Sequence, residues 1–222
     1  MSYETETKNA YKNKTKAAAY KKQYTEGGRW ARFTMWRQKQ LTAKLLDICN
    51  LTSDDKVLDI PCGAGLIGPV LARYEASVTA SDISGEMMNL AENEYDKEKF
   101  DGFVEADITK TSFTSDYFKC VIVLSLMHRL HEKLRKEVLT EVTRLTNSYL
   151  IISYSEINFF QRLKQTILKI LKPSHLPAPQ SIAMKVMLDE MAEEGLEVVK
   201  IKRIFFLLSS KVLFLVRKTS GN

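Results

Sequence analysis

Only three cysteines occur in the 222 residues, Cys49, Cys62 and Cys120, and no two of them form a CxxC pair. Their scarcity excludes a disulfide framework and a cysteine-rich zinc site, and leaves reduced, mostly buried thiols. Long apolar runs are lacking as well. Nothing approaches the roughly 18 consecutive apolar residues that a membrane span needs. The N-terminus, MSYETETKNAYKNKTK, is polar from its second residue and holds no apolar segment of a secretory signal. A cytoplasmic protein is therefore expected. The zinc signature HExxH is absent. His128, His131 and Glu132 come nearest to it, but a helical i, i+3 histidine pair without further ligands carries little weight, and no metal is expected.

What is present fits one globular domain with a proper core: 45% of residues are hydrophobic and 27% charged. The net charge of +6 is unevenly spread, because residues 1–40 carry ten Lys/Arg against three Glu while the rest is near neutral. One reading of this basic start is a solvated, disordered arm over residues 1–16, followed by a single domain over 17–222. The other is a contact with nucleic acid or with an anionic membrane surface.

Beyond Thr52-Ser53-Asp54-Asp55, short apolar runs alternate with helical stretches. Strands are expected at 57–60, 77–81, 103–106, 120–124 and 149–153, and helices at 66–73, 85–97 and 132–145. Alternation of this kind predicts an α/β fold with a doubly wound parallel sheet. The end differs. A helix over 181–193, closed by Gly195, precedes strands at 197–206 and 211–217, and so short a link forces an antiparallel pair. Residues 157–180 break the pattern. Phe159, Phe160, Leu163, Ile167, Ile170 and Leu171 make an apolar stripe whose only charges are basic. This is either a lid over a site or a helix lying on a membrane.

The sharpest signal is VLDIPCGAGLIG, residues 57–68. A buried strand runs into a glycine turn that opens a helix. Gly63 and Gly65 permit a tight turn and close approach of a ligand, and Asp82 at the end of the next strand can accept from ribose hydroxyls. Gly63-x-Gly65-x-x-Gly68 is formally the dinucleotide fingerprint, so NAD(P) is a rival ligand. Against it stand Asp59, an acid at the loop approach that suits a cationic ligand, and the antiparallel C-terminal pair.

VLDIPCGAG resembles motif I of the class I S-adenosylmethionine-dependent methyltransferases, with Pro61 in place of the usual first glycine. VEADI (104–108) and CVIVLSLMHRL (120–130) are similar to the family's third and fourth motifs, although Arg129 stands where a second histidine is usual. The resemblance runs from about residue 17 to 218. It implies a Rossmann-like, mostly parallel seven-stranded sheet with an antiparallel C-terminal hairpin and helices on both faces. It also implies S-adenosyl-L-methionine as cofactor, held by Asp59, Pro61, Gly63, Gly65, Asp82, Ile83, Met87, Asp107, Ile108 and Leu124, with Asp107 reaching the adenine amino group.

His128, at the carboxyl edge of the fourth strand, is the candidate general base, because its ordinary pKa of roughly 6.5 lies near working pH. Tyr20, Tyr24, Arg29 and Arg37 are candidates for covering the cofactor. Tyr154, Glu156, Phe205, Phe206 and the segment 157–180 are candidates for the acceptor pocket. The size and the aromatic N-terminal cover resemble the quinone-biosynthesis and natural-product branches, which implies a small acceptor methylated on oxygen, nitrogen or carbon; the apolar stripe over 157–172, read as a lid, favours a hydrophobic one. Nucleic acid as acceptor is disfavoured because NPPY and DPPY, which stack a flipped base, are absent.

Overall fold

The computed structural model describes residues 18–19, 21–22, 25–157, 181–205 and 209–219. The basic arm, all but one residue of the segment 157–180, and Tyr20, Tyr24 and Phe206 lie outside them. Helix α1 (Arg29–Leu46) leads through a 3-10 turn to β1 (Lys56–Asp59), α2 (Gly68–Leu71), β2 (Ser77–Asp82), α3 (Gly85–Ala91), β3 (Phe100–Glu105) and β4 (Phe118–Val123). A second 3-10 turn, Met127–Arg129, precedes α4 (Glu132–Leu145), β5 (Thr146–Ser155), α5 (Met184–Glu193), β6 (Leu196–Arg203) and β7 (Lys211–Lys218).

The seven strands form one sheet in the order β3-β2-β1-β4-β5-β7-β6. The first five run parallel, and β7 lies antiparallel between β5 and β6. This is the mostly parallel sheet with an antiparallel C-terminal pair that the sequence predicts. Strand β4 is apolar along most of its length because both its faces are covered. Cys120 and Ile122 face the core beneath α1 and α2, with Leu41, Leu45 and Leu71. Val121 and Val123 face the opposite core, with Val138 and Val142 of α4 and Met187 and Met191 of α5. Between α4 and α5, the guanidinium of Arg135 pairs with Glu190 at 2.7 Å, and both side chains are buried. At the edge of the same core Glu141 accepts from the backbone and hydroxyl of Thr111 and from Arg144. Burial would raise the Glu141 carboxyl, but these hydrogen bonds win and hold it at about 2. They tie the chain beyond β3 to α4.

Three expected helices are shorter than the apolar periodicity suggests, the one expected over 181–193 starting only at Met184. The helix expected over 85–97 ends at Ala91. Tyr95 turns inward instead, stacks on Phe100 at 4.8 Å and meets Phe103 edge-on at 5.7 Å. Burying that ring outweighs another helical turn. Similarly, α2 is a single turn following the Gly63–Gly65 loop. Among the described residues no helix is long and apolar enough to cross a membrane.

Candidate active site

The strand order reverses between β1 and β4, and in open α/β sheets a crevice opens at the carboxyl ends of the strands beside such a point. Here it holds a cavity. Asp59, Pro61, Gly63, Asp82, Ile83, Met87, Asp107, Ile108 and Leu124 all line it. Nine of the ten expected cofactor residues thus come together from four separate strand ends.

Gly65 does not line the cavity. It takes φ +70°, and a Cβ there would stand 2.9 Å from the Cβ of Ala91 and 2.8 Å from that of Glu94. Its role is to let the loop pack against α3. Gly63 is the glycine that faces the ligand space, with φ +53° and only the flexible Met87 methyl within 3.4 Å of an added Cβ.

Two buried carboxyls flank this cradle. Asp82 joins the loop to the turn after β2: Gly63 N–H donates to its Oδ2 at 2.8 Å and Ser84 N–H to its Oδ1 at 3.0 Å. Burial raises Asp82 to about 6, opposed by these backbone donors. Burial raises Asp59 further, to about 7, with the charge of Asp82 adding to it and a hydrogen bond from Tyr95 opposing it. Tyr95 Oη donates to Asp59 Oδ2 at 2.7 Å. Asp107 accepts from both the backbone and the hydroxyl of Thr109, at 3.1 and 2.8 Å, which fixes its turn. Two acids beside a glycine cradle, with Asp107 elsewhere in the lining, suit a ligand with amino, hydroxyl and sulfonium groups. A pyrophosphate placed there would be repelled.

The structure does not bring His128 into the lining. It sits on the 3-10 turn behind Leu126 and Arg129, which do line the cavity. Burial, then the charges of Arg129 and Lys211, lower its imidazole to about 3. That environment makes it a weak base near neutrality, unlike the free imidazole assumed from sequence. Arg129, the departure from the family motif, is the residue that reaches the site. His131 caps α4, its Nδ1 accepting from Leu134 N–H at 3.4 Å. Tyr154 is buried in the core under α4 and α5, edge-on to Phe214, instead of in an acceptor pocket. Glu156 is bound by Arg203 at 2.9 and 3.1 Å. Arg29, Arg37 and Phe205 do not line the cavity either.

Sequence reasoning missed Tyr95, Met35, Gln38 and Ser125. Only Gln38 left a signal: it is a polar residue on the inward stripe of α1, in register with Met35, Leu41 and Leu45, and it is buried.

Residues 57–148 match the family model described as a methyltransferase domain. That segment is similar to a methyltransferase domain. The structure resembles magnesium protoporphyrin IX methyltransferase from Synechocystis with bound S-adenosylhomocysteine, with TM-score 0.81 and 15% identity over 97% of this chain and 100% of the other. Human N-acetylserotonin methyltransferase in complex with S-adenosylmethionine gives TM-score 0.72 and 15% identity, over 99% of this chain and 61% of that one. A TehB-like methyltransferase from Corynebacterium glutamicum gives 0.63 and 17%, over 93% and 100%. No curated protein sequence matches the chain significantly.

The raised carboxyls of the site make a prediction about pH. An acid held protonated by folding contributes stability that is lost as pH climbs from about 4, the ordinary carboxyl value, towards about 7, the value for Asp59. A cationic ligand has the opposite preference and draws the proton off. Binding of S-adenosylmethionine near pH 6 is therefore expected to release protons, and affinity should climb with pH up to about 7. Asp59→Asn should reduce the release and raise the melting temperature of the unliganded protein above neutral pH. Calorimetry in buffers of different ionisation enthalpy measures the first, and proton uptake on binding would overturn the assignment.

Proposed function

We propose that this chain transfers a methyl group from S-adenosylmethionine to a small, largely apolar acceptor bound at the carboxyl edge between β1 and β4. One observation carries the reading: the cavity is acidic around Gly63, where the cofactor belongs, and apolar along Leu124, Leu126, Leu130, Leu134 and Val138. The nine lining residues the resemblance implies are proposed to hold the cofactor. Asp59 and Asp82 would balance its cationic and ribose groups, Ile83 and Met87 would pack on it, and Asp107 with Ile108 would hold its base. When bound, the cofactor supplies a methyl already activated by the positive sulfur. The protein has to bind, orient and exclude water. The two small-molecule methyltransferases among the structural neighbours support an acceptor of that class.

The rival ligand is NAD(P). A ligand at about a hundred times its Kd stabilises by roughly 2.7 kcal/mol, which for a domain of this size is about 5–10 °C in Tm. S-adenosylhomocysteine is expected to give such a shift and NAD+ none. The reverse result would replace the methyltransferase reading by an oxidoreductase.

A further inference from the structure

Beside the apolar part of the cavity stands a lysine that its lining does not include. Lys211, the first residue of β7, donates from Nζ to Gln38 Oε1 at 2.7 Å and to Ser125 Oγ at 3.0 Å. Gln38 and Ser125 both line the cavity. An ammonium can only donate. Lys211 therefore occupies the acceptor side of both partners. Gln38 is left with its NH2 group to offer, and Ser125 with its O–H. One buried cation thus turns two ambivalent polar side chains into donors.

Ser125 is held hard in place. Its backbone takes φ +60°, a left-handed conformation unusual for a residue with a side chain. Its N–H donates to Ser153 Oγ at 2.8 Å, and its carbonyl accepts from Arg129 Nε at 3.3 Å. Strained backbone that its surroundings over-determine in this way is a mark of functional positions.

The charges agree. Arg129 bonds the Ser125 carbonyl and lines the cavity there, whereas Asp59 and Asp82 lie beside the Gly63 loop. Burial and then Arg129 lower Lys211 to about 8, so it remains mainly cationic at neutral pH. His128, the other titratable group facing this pair, is neutral there. Among the described residues Lys211 has no carboxylate partner. A buried cation without a counter-ion is costly, and an anion beside it removes the cost.

We propose that Gln38 and Ser125, positioned by Lys211 and joined by Arg129, form a subsite for an anionic oxygen, so that the acceptor is an apolar molecule carrying a carboxylate or phenolate. The proposal rests on the methyltransferase reading with a small acceptor. An acceptor oxygen that arrives ionised needs no general base, consistent with a histidine outside the lining.

The test titrates the full chain, saturated with S-adenosylhomocysteine, with three probes near neutral pH. These are 2-naphthoate as the carboxylate, 4-nitrophenolate as the phenolate and 2-naphthamide as the neutral counterpart. At least one anion is expected to bind about tenfold or more tighter than the amide, the scale of a charge-assisted hydrogen bond. The one that does identifies the anion. Lys211→Met should erase the preference, Lys211→Arg should restore most of it, and S-adenosylhomocysteine affinity should stay unchanged in both. Ser125→Gly, which suits the left-handed backbone, should lower the preference without depending on the fold of the lysine variants. Equal binding of all three probes, or an anion preference that survives in both Lys211→Met and Ser125→Gly, overturns the subsite alone. Failure of every probe to bind overturns the small apolar acceptor as well.

Discussion

Asp82→Asn is expected to weaken S-adenosylhomocysteine binding by about 1–3 kcal/mol, roughly five- to 150-fold. In the folded protein both Asp82 oxygens accept backbone N–H groups, from Gly63 and Ser84. Asparagine keeps one acceptor and puts an NH2 group against the other backbone donor. The glycine cradle must then shift, and the charged acceptor proposed for the ribose hydroxyls is gone. The melting temperature should fall less than the affinity suggests, because burial already raises this carboxyl to about 6 and the amide avoids the cost of ionising it at higher pH. Isothermal titration and thermal unfolding separate the two effects. Unchanged affinity would remove the ribose from this position.

The glycine pair is expected to divide. Gly65→Ala meets atoms anchored to α3, with Cβ contacts of 2.8 and 2.9 Å, in a backbone at φ +70°. Neither neighbour can rotate away. Overpacking and the left-handed conformation together should cost about 3 kcal/mol, a fall of roughly 6–12 °C in Tm for a domain of this size. Gly63→Val should behave differently. Its Cβ would meet only the mobile end of Met87, at 3.4 Å. Backbone strain costs roughly 1–2 kcal/mol, the fold survives, and the branched side chain fills the cradle, so cofactor binding should be lost. Thermal unfolding and cofactor titration of both variants decide it. If Gly63→Val unfolds the protein at ordinary temperature, the cradle is a structural turn and its link to the ligand fails.

The sequence alone determined whatever is local. Apolar runs of strand length alternating with helical stretches specified five parallel strands, and the short link after β6 specified an antiparallel partner. The glycine turn after β1 and the acid closing β2 were legible because each sits in a run whose conformation its neighbours dictate. Helix ends were less so. Residues 92–97 have helical composition, and only the burial of Tyr95 against Phe100 and Phe103 draws them out of the helix. Tertiary structure alone decided which of two similar glycines touches the cavity, because the difference is the distance to α3. It also left His128 out of the lining and lowered its basicity, since neither burial nor the approach of Lys211 can be read from an LMHRL motif. The long-range polar pairs were out of reach for the same reason. Tyr95 and Asp59 are 36 residues apart, and Lys211 and Gln38 are 173 apart. Their meeting depends on strand order, which sets β7 beside β5 and under α1, and no periodicity in the chain encodes which buried donor will face which acceptor.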